Sequence, residues 1–159
     1  MAARGNLIIL TADPKGTFLE GTVQGTPKPG TSMEMVPTTG AFYAGGRHQY
    51  RANTSGTDGK RNLVAILLED GLQGKLSTDA YVDSSRCFLY CPIAGEELNI
   101  LVADIAGTAD IHTVGDKLMY QSGTGKYIAA TGTVHEAFSL LQTTAAFTAD
   151  TLCPATYQG

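Results

Sequence analysis

Glycine and proline recur so often along this chain that they limit its fold more than any other feature. The 159 residues include 19 glycines and 6 prolines. Proline inside a helix removes a main-chain hydrogen bond and clashes with the preceding turn, so this spacing excludes long helices. Short strands between turns remain allowed, and the pattern predicts an all-β protein, a small barrel or sandwich. The clearest turn clusters are Asp13-Pro14, Thr26–Gly30, Val36-Pro37, Gly45-Gly46 and Asn53–Gly59.

The first 45 residues contain many of these turn-forming residues and few strong apolar runs. We interpret residues 1–45 as an extended N-terminal arm with edge strands, and residues 46–159 as a β-barrel-like body. Short strands fit in the arm at Leu7–Leu10, Phe18–Val23 and Met33–Val36. Because the arm's apolar side chains need a surface to pack against, we predict that it binds a neighbouring subunit and is not a disordered tail.

The body contains a continuous apolar run and a hairpin. Leu63–Leu68 has no polar residue, which is typical of a strand buried on both faces. Leu118–Gln121 and Lys126–Ala130 flank a Ser-Gly-Thr-Gly turn and form the clearest hairpin in the chain. Further strands are predicted at Phe88–Tyr90, Glu97–Ala103 and residues 149–157. No internal repeat is evident in the sequence.

Residues 134–142 allow two structures. Thr133–Glu136 has the pattern of a helix capping box, and Val134, Ala137, Phe138 and Leu141 recur at helical spacing. The same residues from Ala137 onward also fit a strand. Because β-branched Thr143 and Thr144 follow, we favour the strand, and the helix remains the alternative.

Charge and composition narrow the class of partner. Charged residues make up only 16% of the chain, the formal net charge is −4 and the pI is about 5.2. Affinity for nucleic acid comes largely from Lys and Arg, so we expect no nucleic-acid partner. The one basic patch is Arg47, His48, Tyr50 and Arg51, with Lys60 and Arg61 nearby. The apolar run near the N-terminus is too short for a signal peptide or a membrane span, so we expect no membrane partner. The weakly charged composition favours an assembly component.

The motifs of common enzymes and cofactor sites are not matched. Gly125-Lys126 is followed by Tyr127, and the first glycine of a P-loop is missing. Cys87 and Cys91 lie four residues apart on a predicted strand, too far for a disulfide. With Cys153 the number of cysteines is odd, and no second pair lies at the spacing of a zinc site, so we predict reduced thiols. The best metal-ligand candidates are the scattered Asp104, Asp110, His112 and Asp116. We therefore expect no catalytic residues, no metal and no cofactor.

Several framework blocks in the second half resemble a family of small tailed-phage proteins, the capsid decoration or cement proteins that stabilise the head. The blocks cover most of residues 45–159; they are Leu63–Lys75, Ala94–Thr108, Val114–Met119, Gly123–Thr131, Phe138–Thr143 and Thr148–Cys153.

The resemblance implies a β-barrel or β-tulip-like body on the outer capsid surface, bound to the major capsid protein. It also implies a homotrimer, no catalysis, and a protein made in the host cytoplasm that resides in the virion. Arms would reach over neighbouring capsid subunits by adding a strand to a sheet edge. The residues expected to contact the partner are Leu7, Ile8, Ile9, Leu10 and Phe18. The alternative is another phage structural or surface-binding module, such as a head fibre base or a glycan-binding adhesin.

Overall fold

The computed structural model describes residues 8–36, 47–54, 65–70, 76–104, 112–121, 123–130, 137–144, 147 and 149–159. These residues contain ten strands and no helix. The all-β prediction with a barrel body is confirmed. The strands are β1 Thr17–Gln24, β2 Ser32–Met35, β3 Gln49–Ala52, β4 Ala65–Leu67, β5 Arg86–Cys91, β6 Glu97–Val102, β7 Lys117–Tyr120, β8 Tyr127–Ala129, β9 Phe138–Leu140 and β10 Thr151–Tyr157.

The strands form two closed five-stranded barrels that share one topology. The first follows the order β1-β3-β2-β4-β5, and the second follows β6-β8-β7-β9-β10. In each barrel the first and third strands are parallel, as β1 is to β3 and β6 is to β8, and every other pair is antiparallel. The chain therefore repeats a five-strand unit although its sequence shows no repeat.

The strands do not group at the predicted boundary near residue 45. β1 and β2, which were assigned to an arm, close the first barrel with β3, β4 and β5. The division lies between β5 and β6, within residues 92–96. The arm interpretation failed here because each of these strands buries only some of its side chains, which gives a weak apolar signal in the sequence.

Several predicted strands lie where the sequence placed them. Residues 65–68 of the apolar run are buried on both sides, since Leu67 points into the first barrel and Ile66 packs in the core of the second. The predicted hairpin is present, with Leu118 opposite Ala129 and Tyr120 opposite Tyr127. Residues 138–140 form a strand, which confirms the favoured alternative for that part; residues 131–136 lie outside the described residues.

Main-chain hydrogen bonds join the two barrels. The N–H of Leu101 donates to the carbonyl of Gly30 (3.0 Å), and the N–H of Ser32 donates to the carbonyl of Gly125 (2.7 Å). Gly30 in turn donates its own N–H to the carbonyl of Leu67 (2.8 Å). These bonds pair polar groups that would otherwise be left without partners between two apolar cores, so they fix the barrels relative to each other.

Candidate partner-binding surface

The structure places Ile8, Ile9 and Leu10, three of the predicted contact residues, against their own chain. The N–H of Asn99 donates to the carbonyl of Ile8 (2.7 Å), the N–H of Leu10 donates to the carbonyl of Glu97 (2.9 Å), and Ile9 forms a β-bridge with Leu98. Residues 8–11 thus run along the first half of β6. The neighbouring strand β8 pairs with β6 at Val102 and leaves this first half open.

This arrangement buries one of the predicted contact residues and partly buries two others. Ile8 is fully buried, and Ile9 and Leu10 are half-buried. Leu7 lies outside the described residues. The strand addition expected on a partner's sheet therefore takes place within the chain, because the apolar side chain of Ile8 finds its place in the second barrel's core.

Among the predicted contact residues that the structure describes, Phe18 is the most exposed, with 56% of its area accessible. It lies opposite Tyr90 on the neighbouring strand, and the two ring centroids are 4.9 Å apart. Leu19 and Leu89 point into the first barrel, so Phe18 points outward by strand alternation. Its tilted contact with the buried Tyr90 ring restricts the orientation of the exposed Phe18 ring.

Two arginines meet at Glu20, two residues along β1 from Phe18. Glu20 accepts from the guanidinium groups of both Arg47 and Arg86 at 3.1 Å. The Arg86 guanidinium also lies over the Phe88 ring, 4.5 Å from its centroid. One carboxylate faces two guanidinium groups, so these three side chains carry a net charge of +1. We call Phe18, Glu20, Arg47, Arg86 and Phe88 the aromatic–arginine surface.

The aromatic–arginine surface has the composition of protein-binding hot spots. Aromatic and arginine side chains dominate the energetics of protein interfaces, and groups held in place before binding lose less entropy on binding. The net positive charge favours a partner surface that carries carboxylates. Sequence reasoning found Phe18 but missed Arg86 and Phe88; the alternation of Arg86, Phe88 and Tyr90 with smaller or apolar residues was the signal available.

A buried carboxylate fastens the segment that precedes β1. Glu96 is 5% exposed and accepts hydrogen bonds from the hydroxyl of Tyr90 (2.7 Å) and from the N–H groups of Lys15 (2.5 Å), Ile93 (2.9 Å) and Gly16 (3.3 Å). Burial alone would raise the pKa of Glu96, but these hydrogen bonds together hold it below its ordinary value of 4.5. We call this group the Glu96 clasp. It keeps Phe18 in place because it anchors Gly16, two residues away.

Each described residue considered for metal binding contacts a different neighbouring residue. Asp104 donates its N–H to Asp150, the His112 ring packs 5.9 Å from the Phe147 ring, and Asp116 accepts from the N–H of Thr113. Asp110 lies outside the described residues. Within the described ranges no group of three or more His, Cys, Asp or Glu side chains could hold a metal ion.

The three cysteines are free thiols, as predicted. Burial raises the pKa of Cys87 to about 12 and that of Cys153 to about 11, and it also raises the pKa of the half-buried Cys91. Because the thiolate is the reactive form, these thiols are poor nucleophiles at neutral pH.

We expect native protein at pH 7.5 to resist iodoacetamide. A thiol with a pKa of about 12 has roughly one thiolate in 10⁴ or fewer molecules at that pH, and it is buried as well. Mass spectrometry should show Cys87 and Cys153 unmodified in the native protein and all three thiols modified in urea. Rapid native labelling of Cys87 would contradict the described packing of the first barrel.

Comparison with known proteins gives no family assignment. No protein-family model matches the chain, and a search of curated proteins gives no match. No helix formed by the described residues is long and apolar enough to cross a membrane.

Proposed function

We propose that this chain is a viral capsid decoration protein that binds the outer surface of the major capsid protein lattice and stabilises the head without catalysis. The observation that carries the proposal is the aromatic–arginine surface, a fixed and exposed binding surface on a rigid double barrel. The resemblance of the framework blocks to phage decoration proteins supports it.

The binding partner proposed is the major capsid protein, contacted first through Phe18. A ring that is 56% exposed in the free chain has apolar area left to bury, and burial of apolar area is the main favourable term in protein association. Arg47 would then pair with a carboxylate of the partner. The raised thiol pKa values and the fully engaged Glu96 carboxylate favour binding over catalysis as the role of this protein.

We further propose that the chain acts as a homotrimer on the virion surface after synthesis in the host cytoplasm. Three linked copies would engage several capsid subunits at once, and linked contacts make weak single contacts strong together. Light scattering of the free and capsid-bound protein tests this part: a trimeric mass in either state supports it, and a monomer in both states contradicts it.

Replacing Phe18 with serine is expected to weaken binding to undecorated capsids about 10- to 30-fold, the loss of a hot-spot aromatic worth about 2 kcal/mol. Co-sedimentation of purified protein with capsids assembled without it measures the affinity. The fold should survive, because the aromatic pair with Tyr90 contributes only about 1 kcal/mol to stability.

The matched control is Val114→Ser, which removes an apolar side chain that is 58% exposed at one end of the second barrel. Its binding should equal that of the unaltered protein. If Phe18→Ser binds as well as the unaltered protein, the aromatic–arginine surface is not the docking surface. If the unaltered protein does not bind at near-saturating concentration, the proposed function itself fails.

A further inference from the structure

A cleft of about 350 Å³ lies where the two barrels meet. One wall is the loop between β1 and β2, and the other is formed by the β7–β8 turn and the residue before β10. Clefts between structural units are common places for ligand binding. The lining residues are Gln24, Gly25, Thr26, Pro27, Lys28, Thr31, Ala52, Leu101, Thr124, Lys126 and Asp150.

The walls of this inter-barrel cleft are held by the bonds that join the barrels. Leu101 donates its N–H to Gly30, and Ser32 donates its N–H to Gly125, so lining residues from both barrels are adjacent to main-chain hydrogen bonds. Thr124 is fixed as well, since its hydroxyl lies 2.9 Å from Gln121 Oε1 and accepts from the N–H of Lys126 (3.2 Å). A cleft with fixed walls loses little entropy when a ligand enters.

The charged groups of the cleft are arranged for an anion. Asp150 uses both carboxylate oxygens, one on the N–H of Asp104 (3.2 Å) and one on the ammonium of Lys126 (2.7 Å). The Lys126 ammonium therefore has two N–H donors left. Lys28, on the opposite wall, forms no ion pair with any described residue, so the lining carries a net charge of +1.

Asp83 lies beside the loop wall, because it accepts from the N–H of Gly25 (2.6 Å) and the hydroxyl of Ser84 (3.0 Å). It does not line the cleft, and its full exposure to water screens its effect. Leu101, Pro27 and Ala52 add apolar surface beside the two lysines. This combination suits a carboxylate at the end of a short aliphatic chain.

We propose that the inter-barrel cleft binds an aliphatic carboxylate, either a free dicarboxylate or the side chain of a glutamate on a protein partner. The ammonium groups of Lys28 and Lys126 hold the carboxylate, and the apolar lining contacts its methylene groups. This site is separate from the aromatic–arginine surface and does not depend on capsid binding.

The test is an NMR titration of ¹⁵N-labelled full-length chain with two probes, glutarate and the capped peptide acetyl-Gly-Glu-Gly-amide. We expect saturable shifts at the N–H groups of Gly25, Leu101 and Lys126 with at least one probe, and none with neutral glutaramide. Tighter binding of the peptide assigns the site to a protein partner, and tighter binding of glutarate assigns it to a small molecule.

Lys28→Gln should weaken binding about fivefold or more, as expected for the loss of one attractive charge in a partly exposed site. Lys117→Gln, which removes a lysine that does not line the cleft, should leave the affinity unchanged. The proposal is overturned if neither probe gives saturable shifts in the unaltered chain. Equal weakening by both substitutions also overturns it, because binding would then depend on overall charge alone. Failure of capsid binding would leave these results unchanged.

Discussion

Replacing Gly125 with alanine is expected to lower the free energy of unfolding by about 3–5 kcal/mol, because this residue lies where the two barrels touch. Its φ of +68° is a left-handed conformation that costs a residue with a Cβ about 1–2 kcal/mol. An added Cβ would lie 2.6 Å from the carbonyl oxygen of Ser32 and 2.6 Å from Thr31 Cγ2. The Ser32 oxygen belongs to the main chain, so the barrels themselves must shift apart.

The displacement would also disturb the hydrogen bond from the Ser32 N–H to the Gly125 carbonyl. Urea unfolding followed by circular dichroism and by tyrosine fluorescence measures the loss, since the chain has 7 tyrosines and no tryptophan.

Gly123→Ala is the matched control for this prediction. Gly123 lies in the same turn with a φ of +80°, but nothing lies within 4 Å of its added Cβ. The stability of this variant should fall only by the cost of the left-handed conformation, about 1–2 kcal/mol. If both substitutions lower the stability by the same amount, the close contact of the barrels at Gly125 is not what holds them together.

Replacing Glu96 with glutamine is expected to lower the free energy of unfolding at pH 7 by about 2–4 kcal/mol. The Glu96 carboxylate accepts from three main-chain N–H groups, which can only donate, and from the Tyr90 hydroxyl. In glutamine an NH₂ group replaces one oxygen of the carboxylate. Its two N–H donors would face the donors that this oxygen had accepted from, and these buried donors would be left without an acceptor. The segment before β1 should loosen, which amide hydrogen exchange at Lys15 and Gly16 would detect.

The same carboxylate predicts how stability depends on pH. The pKa of Glu96 is lower in the folded chain than its ordinary value of 4.5, so the folded state binds fewer protons there than the unfolded state. Its contribution to stability is fully present above pH 4.5 and is lost as the pH falls below that value. Burial would raise the pKa of Glu34, but its hydrogen bonds from Thr54 and Arg51 outweigh burial and lower it. Protonation of Glu34 therefore adds to the same loss of stability at acid pH, which we call the acid limb.

Glu97→Gln is the control, because Glu97 is the exposed neighbour of Glu96. This substitution should change the stability at pH 7 by no more than about 0.5 kcal/mol and leave the acid limb intact. Glu96→Gln should flatten the acid limb. An unchanged acid limb in Glu96→Gln would show that the clasp does not stabilise the folded chain as an ionised group.

Local patterns in the sequence were sufficient to predict strand identity. The apolar run at Leu63–Leu68 and the hairpin around Gly123 and Gly125 depend on residues close in sequence, so their structures follow from alternation and turn chemistry. The same local logic predicted free thiols at Cys87 and Cys91, since residues four apart on a strand cannot form a disulfide.

The grouping of the strands could not be predicted in the same way. β1 pairs with β5 over about 70 residues of intervening chain, and closure of a barrel depends on such distant pairs. The shared topology of the two barrels is also invisible in the sequence, because a fold constrains which side chains point inward and not which apolar residues they are. For the same reason Ile8 was assigned to a partner when it packs in the chain's own core.

The candidate surface combines near and distant contacts. Phe18 was recognisable as an apolar residue in need of a contact, but Arg47 and Arg86 meet at Glu20 only because β1 lies between β3 and β5 in the closed barrel. The Glu96 clasp has no sequence signal, since a glutamate in a turn is normally solvated. Its role appears only when β5 and the segment before β1 converge on it.

Imaging of capsids assembled without this protein, before and after it is added at saturating concentration, tests the proposed function most directly. We predict added density on the outer capsid surface, each copy resolved as two adjoining barrels with the Phe18 side of the first barrel against the major capsid protein. Capsids that show no added density, or density only with the Phe18 side facing away from the lattice, would contradict the account.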